Sequence, residues 1–586
     1  MPRRKTLIRR VRVRALQTLR RSEIGLILCC AIAGCAVAML VLVLHDCVAF
    51  MQRLAFDLYP GVTLGAQLRI AQWRVVLVPL LGGVALAMIL RLLPALGGRV
   101  SDPIEANALY GGRMSLRGST RLTALTFVSN GAGASVGMEA GYSQIGAAIF
   151  SAVGGRLGMV RDNRRTMVTA GAAAAITAAF NAPLAGIFYG FELVHGGLSA
   201  RRLAPVVTAS ICAWLVLMVA GHHGPVFVIP PHPEPAPLDF LLLILLALLG
   251  AALAVLAMTS VGLTERLLRR SRIPQWLLPV VGGVMIGLLG LYSPQILGAG
   301  LGPIQWHFEF RLSLTVLLAL LLAKMLASAV SIGAGFRGGL FSSALLLGAL
   351  LGACFAQLAG VLLPAHDGPR ALFLLAGMAA TGAGIVGAPL TISFLVIETT
   401  GSFAAAPVLI AVAALSAMLV RLTFGYSFST WRFHLRGLSL HGAYDIGWIS
   451  GLTAARLMHR DIPTFPIQMP LASLRQALPL GSTEWIGVSH HDGTYAGMLE
   501  TARAHDPDLN DLSEMLILGD LTDPPGPEIG PADDVRHVLQ TFAASRLTVL
   551  PVVSQDRRAL GYVSESHCLR RYLAGIYHYR GSDLGF

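Results

Sequence analysis

The chain has 586 residues, of which 55% are hydrophobic and 13% are charged, and its formal net charge is +14. Soluble globular proteins carry about 25% charged residues, so this composition excludes an ordinary soluble protein and indicates a membrane protein. The positive charge indicates membrane topology and affinity for lipid headgroups, and we predict no nucleic-acid partner. The seven cysteines follow no metal-binding or redox spacing, so we predict no metal and no cofactor.

The N-terminal segment, residues 1–21, is strongly basic. It holds nine Arg or Lys side chains and no acid. The apolar run that follows is too long for the core of a cleaved signal peptide. The positive-inside rule places this segment in the cytoplasm. We therefore expect a multi-pass protein of a bacterial inner membrane with both termini in the cytoplasm.

Residues 22–436 form the predicted transmembrane domain, an all-α domain of tilted and broken helices. Apolar runs of bilayer length recur along it and predict roughly ten to twelve crossings. Glycine, alanine and proline interrupt Met167–Leu193, which predicts a broken helix there. The clearest predicted spans are Ile24–Leu44, Val75–Leu93, Phe240–Met258, Leu314–Ile332 and Leu340–Leu363.

Two pairs of similar segments indicate that the transmembrane domain is a duplication. SNGAGASVG at residues 129–137 matches SIGAGFRGG, which lies 202 residues later. NAPLAGIFYGFE at residues 181–192 matches GAPLTISFLVIE, which lies 206 residues later. The shared order and offset predict an inverted repeat with a substrate site between its halves. Glycine-rich helix starts expose N–H groups that bind anions, although small residues can also serve close helix packing alone.

Three acids lie in apolar surroundings, and one of them has an unusual position. Glu192 and Glu398 end equivalent apolar segments, where a solvated helix end is the alternative to a role in transport. Glu139 instead follows a glycine-rich turn and begins the next predicted helix. An ionised carboxylate at a helix N-terminus can take the place of an anion, and protonation releases it. Glu139 is therefore the candidate gate of an anion pathway.

The last part of the chain is predicted to be a cytoplasmic α/β domain built from two similar motifs, residues 445–505 and 515–578. The second motif contains the helix ADDVRHVLQTFAAS and the strands LTVLPVV and ALGYVSES. The first contains the helix PLASLRQAL and the strands EWIGVSH and TYAGMLET. This order resembles a CBS-domain pair. In nucleotide-binding members an Asp follows the last strand, whereas His567 and Arg503 stand at those positions here, so nucleotide binding at the pair is doubtful.

The membrane motifs resemble those of the CLC family of chloride channels and chloride–proton exchangers. GMEAG resembles its G-K/R-E-G-P segment, and GAGFRGGLF resembles its anion-binding loop. The most specific match is AGAAAAITAAFNAPLAGIFYGFE, and the resemblance covers about residues 70–430. It implies a homodimer in the lipid bilayer, with one pathway per subunit that carries chloride and, in some members, protons.

The resemblance also implies roles for individual residues. Glu139 corresponds to the gating glutamate, and Glu192 adjoins the position of the inner proton-transfer glutamate of exchangers, where this chain has Leu193. Because that carboxylate is missing, a channel and a weakly coupled exchanger both remain as alternative functions. The implied anion-binding residues are Ser101, Gly137, Leu340, Phe341 and Ser429.

The chain departs from the family pattern near the pathway. The first anion loop, G-S-G-I-P in the family, reads GRVSDPIEAN, which makes Ser101 the candidate hydroxyl donor and adds Asp102 as a modifier of the pathway. Ser429 takes the place of the central tyrosine, with Tyr426 close by as a second modifier. Met138 replaces the basic residue that precedes the gating glutamate.

The sequence predicts a transporter and not an enzyme, because the spans carry no nucleophile–base pair or metal set. The favoured function is transport of chloride or a similar small monovalent anion, with bromide and nitrate left open. Two alternatives remain, a CBS-regulated divalent-cation transporter and an anion sensor that does not transport. A divalent cation would need several oxygen ligands close together, and the predicted acids are isolated.

Overall fold

The computed structural model describes residues 22–92, 100–230, 235–363, 368–434, 452–460, 462–510, 512–523, 526–545 and 547–571. The predicted basic segment, residues 1–21, lies outside the described residues. The chain divides into two compact units, Met1–Tyr444 and Asp445–Phe586.

The first half of the membrane unit mixes very long with very short helices. Its described residues form eight α-helices: α1 (Glu23–Phe56), α2 (Gln72–Leu92), α3 (Pro103–Leu109), α4 (Leu116–Gly131), α5 (Glu139–Arg156), α6 (Arg161–Phe180), α7 (Pro183–Tyr189) and α8 (Ala200–Val219). The first of them has 34 residues, more than a straight crossing needs, whereas α3 and α7 have seven each. Both short helices begin at a proline, whose missing N–H costs nothing in the first turn.

The second half repeats this pattern. Its described residues form nine α-helices: α9 (Pro237–Arg270), α10 (Leu278–Tyr292), α11 (Leu301–Glu309), α12 (Leu314–Gly333), α13 (Phe341–Leu362), α14 (Arg370–Val386), α15 (Pro389–Thr400), α16 (Ala406–Thr423) and α17 (Phe428–His434). In the described part of the chain, eight helices are long and apolar enough to cross a membrane. This number is below the roughly ten to twelve crossings that the sequence predicts. The difference arises because some of the apolar segments fold as helices that are too short to cross.

The predicted break within Met167–Leu193 is confirmed. Helix α6 ends at Phe180, and Asn181 takes a left-handed conformation with φ 54°. Pro183 then begins α7, and residues 190–195 form a π-helical turn. Asparagine tolerates this backbone better than most residues, and proline sets the first turn of a new helix, so the sequence itself dictates the break.

Reciprocal contacts show that the two halves are related by a pseudo-two-fold axis. Gly83 of α2 lies against the carbonyl of Pro279, and Gly283 of α10 lies against the carbonyl of Pro79. A side chain at either glycine would collide with that backbone. Contacts that exchange partners in this way are the signature of a two-fold relation. The predicted inverted repeat is therefore present in the fold.

The C-terminal unit contains two α/β repeats. Its described elements are α18 (Ala454–Leu457), β1 (Thr464–Pro466), α19 (Leu471–Ala477), β2 (Trp485–Ser489), β3 (Tyr495–Glu500), α20 (Thr501–Ala504), α21 (Leu518–Leu521), α22 (Val535–Ser545), β4 (Val549–Val553) and β5 (Ala559–Ser564). Strand β2 pairs parallel with β1 and antiparallel with β3, and β4 pairs antiparallel with β5. In the second repeat, Ile529 bridges Val552 in the parallel sense that β1 shows in the first. This arrangement is compatible with the predicted CBS-like pair.

Candidate functional site

The two glycine-rich loops of the repeat meet at the centre of the membrane unit. The N–H of Gly137 donates to the carbonyl of Gly339 at 2.9 Å, and the N–H of Gly339 donates to the carbonyl of Gly137 at 3.2 Å. Helices α5 and α13 begin two residues later, at Glu139 and Phe341. Neither helix has a side-chain cap, so their first N–H groups carry the positive end of the helix dipole without a side-chain partner.

A cavity of ≈ 410 Å³ opens beside this junction. Residues from the start of four helices, α3, α5, α13 and α17, reach it. Converging helix N-termini favour an anion, because N–H groups and aligned dipoles attract negative charge without a fixed cation. The lining includes Val100, Asp102, Arg121, Glu139, Ser143, Gln144, Tyr189, Leu193, Arg337, Leu340, Phe341, Ser429 and Arg432.

The Glu139 carboxylate lies between the two loops and is buried. One carboxylate oxygen accepts a hydrogen bond from the Ser342 hydroxyl. The other oxygen has no hydrogen-bond partner among the described residues. Because Gly137 has no Cβ, the carboxylate fits against its backbone. An acid placed in this way occupies space at a helix N-terminus that a small anion could take.

Arginines give the cavity a positive balance. Arg121, Arg337 and Arg432 line it, against the two carboxylates of Asp102 and Glu139. The Nε of Arg121 is buried and has no hydrogen-bond partner among the described residues. Arg337 belongs to the second glycine-rich loop, whose backbone N–H at this residue donates to the Ser129 hydroxyl at 2.9 Å.

Where the family pattern has a basic residue, this chain has Met138, which is buried in the apolar core. Arg337, from the opposite half, is among the residues that line the cavity together with Glu139. Sequence reasoning did not single out Arg337, because its relevance depends on how the two halves meet. The available signal was the arginine inside SIGAGFRGG, where the matching segment of the first half has no charged residue.

Among the predicted anion ligands, Leu340, Phe341 and Ser429 line the cavity. Asp102 lines it as well, and its carboxylate accepts a hydrogen bond from the Ile104 N–H at 2.9 Å. Tyr426, in the turn before α17, is half-buried and is not among the described lining residues.

Ser101, the predicted hydroxyl donor, is not among the described lining residues either. It is buried, and its carbonyl accepts a hydrogen bond from the Gln144 Nε2 at 2.9 Å. Val100 and Asp102 on either side of it reach the cavity instead. The role of Ser101 as a hydroxyl donor therefore stays a prediction.

Tyr189 is the phenol that the structure brings to the cavity. Its ring packs edge-on against Phe341, with ring centroids 6.2 Å apart, and Ser143 lines the same cavity. The phenol that the sequence predicts near the pathway is that of Tyr426, at the end of the second half. Tyr189 comes from the last turn of α7, in the first half.

Glu192 and Glu398 cap each other's helices across the pseudo-two-fold axis. The Glu192 carboxylate accepts hydrogen bonds from the N–H groups of Leu390 and Thr391 at 3.1 and 2.8 Å. The Glu398 carboxylate accepts them from Leu184 and Ala185, both at 2.9 Å. At the axis, the rings of Phe188 in α7 and Phe394 in α15 stack on each other, with their centroids 4.8 Å apart. This geometry explains both acids as helix caps.

The predicted proton role of Glu192 does not match this placement. Glu192 is absent from the described lining of the cavity, and both of its carboxylate oxygens already accept hydrogen bonds. Leu193, next to it, does line the cavity and supplies an apolar side chain. In the described part of the chain, no three His, Cys, Asp or Glu residues come together as a metal site.

Replacing Glu192 with Ala is expected to destabilise the membrane unit by about 2 kcal/mol, because three donors from Leu390 and Thr391 lose a charged acceptor. Thermal unfolding of the purified protein measures the effect. Glu265→Ala is the control, since this acid forms an exposed pair with Arg269 one helical turn away. Equal unfolding temperatures for the two variants would contradict the capping role.

Comparison with known proteins agrees with the geometry. The sequence profile of the family described as Voltage gated chloride channel matches residues 81–421. The Voltage-gated ClC-type chloride channel ClcB of Shigella flexneri is 26% identical over 407 residues, covering 68% of this chain and 94% of that protein. The H(+)/Cl(-) exchange transporter ClcA of Vibrio parahaemolyticus is 31% identical over 249 residues, covering 41% of this chain and 53% of that protein.

The fold similarity extends beyond the membrane unit. The crystal structure of a eukaryotic CLC transporter superposes with a TM-score of 0.61 at 17% identity, covering 94% of this chain and 98% of that chain. At this identity the likeness concerns the fold alone. It includes the C-terminal unit, because the membrane unit by itself is a smaller share of the chain.

Proposed function

The chain belongs to the voltage-gated chloride channel family, and on that premise we propose that it carries chloride, or a similar small monovalent anion, through the cavity that Glu139 gates. The observation that carries the proposal is the position of the Glu139 carboxylate. It lies at the uncapped start of α5, where the two glycine-rich loops meet. The relatives named above include a chloride channel and a proton–chloride exchanger.

The proposed mechanism is competition for one place. The ionised Glu139 carboxylate occupies the region that faces the N-termini of α5 and α13, so that an anion is repelled from it. Protonation removes the charge, and the neutral side chain no longer competes with an anion for those helix dipoles. The anion then meets the arginines of the lining and the hydroxyls of Tyr189 and Ser429.

We propose that coupling to protons is weak or absent. Leu193 faces the cavity where the resemblance places the inner proton-transfer carboxylate of exchangers. Glu192 beside it is engaged with the start of α15. Proton transfer needs a titratable group within hydrogen-bond reach or a connecting water. An apolar side chain at this position supplies neither.

The test is simultaneous measurement of chloride and proton flux from liposomes that hold the purified protein. We expect chloride efflux with little or no accompanying proton movement. Protein-free liposomes are the control for leak, and replacement of chloride by a large anion that cannot pass is the control for selectivity. Transport of a divalent cation without chloride dependence would contradict the proposal. Uphill proton movement driven by a chloride gradient would contradict the proposal of weak coupling but not the proposal of chloride transport.

Gly137→Ala is expected to raise chloride flux at neutral pH several-fold, because the new Cβ would collide with the Glu139 carboxylate and displace it. Gly339→Ala is a matched control at the equivalent position of the repeat. Its Cβ would meet Ala140 and Phe341 at ordinary distances of 3.7 and 3.8 Å. The same liposome assay compares both variants with the unmodified protein. Equal behaviour of the two variants would exclude this packing of the gate.

We further propose a homodimer in a bacterial inner membrane, with cytoplasmic termini and one anion pathway per subunit. The family membership and the basic residues 1–21 support this assembly and orientation. The C-terminal unit is proposed to be a CBS-like pair without a bound nucleotide, since His567 and Arg503 replace the carboxylates that would hold a ribose. Cross-linking of the purified protein in lipid tests the dimer.

A further inference from the structure

A second cavity of ≈ 430 Å³ lies at the start of α6, and three arginines line it. The lining comes from the end of α3, from the turn that follows it and from the connection between α5 and α6. The basic lining residues are Arg113, Arg161 and Arg164, and Tyr110, whose hydroxyl donates to the Glu105 carboxylate at 3.3 Å, also lines the cavity. None of the described lining residues is acidic. The cavity shares no lining residue with the anion pathway.

The turn after α3 holds one guanidinium in place. Gly111 and Gly112 both take left-handed conformations, with φ 59° and 76°. A Cβ at Gly111 would lie 2.6 Å from the Nε of Arg161, so the glycine lets this side chain pack flat on the turn. The Ser151 hydroxyl donates to the Gly112 carbonyl at 2.6 Å and fixes the turn against α5. The cavity is therefore built by ordered backbone and is more than a cluster of surface charges.

The positive charge of this cavity is not neutralised within the described part of the chain. Arg113 and Arg161 are exposed, and neither guanidinium forms a hydrogen bond or ion pair with another described residue. Arg164 donates to the Met159 carbonyl at 3.4 Å, while its Nε is buried without a hydrogen-bond partner. Asp162, the acid nearest in sequence, pairs with Arg202 at 2.7 Å. Three guanidinium groups thus share one cavity without a counter-charge.

The surroundings are those of a membrane boundary. Helix α6 begins with the polar segment RDNRR and continues into buried, apolar residues from Met167 onwards. Val160, which precedes Arg161, is 63% exposed and offers an apolar contact beside the charges. A tyrosine and several arginines next to an exposed apolar residue match the layer where lipid headgroups lie.

We propose that this cavity binds a phosphate group, either the phosphate of an anionic phospholipid or free inorganic phosphate. Guanidinium groups bind phosphate oxygens through paired, charge-assisted hydrogen bonds, and the positive charge of three of them more than offsets the negative charge of such a group. The uncapped N–H groups at the start of α6 add to the attraction. Since α3 ends at this cavity and begins at the anion pathway, an occupied site stabilises the position of α3.

The test uses the full-length protein in detergent, titrated with phosphatidylglycerol, phosphatidylcholine or inorganic phosphate. Native mass spectrometry counts the retained lipid, and the shift of the unfolding temperature gives the affinity for each probe. We expect phosphatidylglycerol to bind and phosphatidylcholine not to bind. The double change Arg161→Gln and Arg164→Gln is expected to weaken binding by at least about tenfold, since two charge-assisted contacts are lost.

Arg117→Gln is the matched control, because this exposed arginine of α4 does not line the cavity. Binding of inorganic phosphate with the same sensitivity to the double change, but no phosphatidylglycerol binding, would assign the site to free phosphate. If neither probe distinguishes the double variant from the Arg117 variant, the proposal is overturned. If the double variant does not purify as folded protein, the single variants Arg113→Gln and Arg161→Gln are each compared with Arg117→Gln for binding of the same probes.

Discussion

Chloride flux through the Glu139→Gln variant is expected to be high at neutral pH and to change little as the pH falls. Glutamine has the size of the acid and can still accept the hydrogen bond from Ser342, so the local fold is retained. It carries no charge, and it therefore does not repel an anion at any pH. A tethered competitor acts at a high effective concentration, so its removal should raise the flux at neutral pH by about tenfold or more.

The unmodified protein is expected to behave differently over the same pH range. Its flux should rise as the pH falls, because protonation neutralises the Glu139 carboxylate and ends the competition. The measurement is chloride efflux from liposomes at a series of pH values, for both proteins side by side. A pH dependence that persists in the glutamine variant would assign the gate to another group.

Glu105→Gln is the matched control for this experiment. Glu105 is also a buried carboxylate in a short helix of the membrane unit, and it accepts a hydrogen bond from the Tyr110 hydroxyl at 3.3 Å. It does not belong to the described lining of the anion cavity. Its replacement should leave the pH dependence of the flux unchanged. The comparison separates the effect of a charge at the gate from the effect of removing a buried acid.

The duplicated architecture and the position of Glu139 at the start of α5 were predictable from the sequence because their signals are local. The broken segment around Asn181 and Pro183 follows from the backbone preferences of those two residues. The repeat is visible as two matched segments, and Glu139 stands out as an acid in a glycine-rich turn. Each of these features needs only a few neighbouring residues to be recognised.

The residues that sequence reasoning missed come together only through the tertiary fold. Arg337 and Tyr189 come from opposite halves of the chain and line the same cavity as Glu139. Glu192 and Glu398 look like candidates for transport until their partners across the axis are known. Periodicity and spacing describe one segment at a time, so contacts between segments 200 residues apart are beyond their reach.

Lys324 is a residue that the sequence analysis did not single out, although a lysine within an apolar span is visible in the sequence. It is the one basic residue in the apolar run of α12, and its side chain is fully buried. Its Nζ donates to the carbonyls of Ile296 and Gly298 at 3.1 and 2.8 Å. The N–H of Gly298 in turn donates to the Gly133 carbonyl of the first half. A charge inside a span is functional or structural by default, and here it holds a loop of the second half that contacts the first half.

The orientation of the first anion loop could have been derived from helix-capping rules. Asp102 precedes Pro103, and this pair is the expected N-cap and first residue of a helix. Placing the cap at Asp102 makes its carboxylate the acceptor at the start of α3 and leaves Ser101 outside the helix. Alignment with the family pattern instead emphasised the serine. The local rule was the better guide to which side chain reaches the cavity.

Asp102→Asn is expected to raise chloride flux by about tenfold. The Asp102 carboxylate lines the cavity and accepts a hydrogen bond from the Ile104 N–H at the start of α3. Its negative charge therefore repels an anion at a second helix N-terminus. Asparagine keeps an acceptor oxygen and is an equally good cap, which preserves the helix while it removes the charge. Two unit charges about 8 Å apart at an effective dielectric constant near 20 repel by about 2 kcal/mol, and the lining arginines offset part of this energy.

Asp102→Glu is the control that retains the charge, and liposome flux over a range of chloride concentrations is the measurement. The glutamate variant should stay close to the unmodified protein, whereas the asparagine variant should reach half-maximal flux at a lower chloride concentration. Its pH dependence should persist, because Glu139 is unchanged and still competes. A combined Glu139→Gln and Asp102→Asn variant should carry more chloride than either alone, since the two carboxylates face different helix N-termini of the same cavity. Equal flux in the asparagine and glutamate variants would mean that Asp102 serves only as the cap of α3.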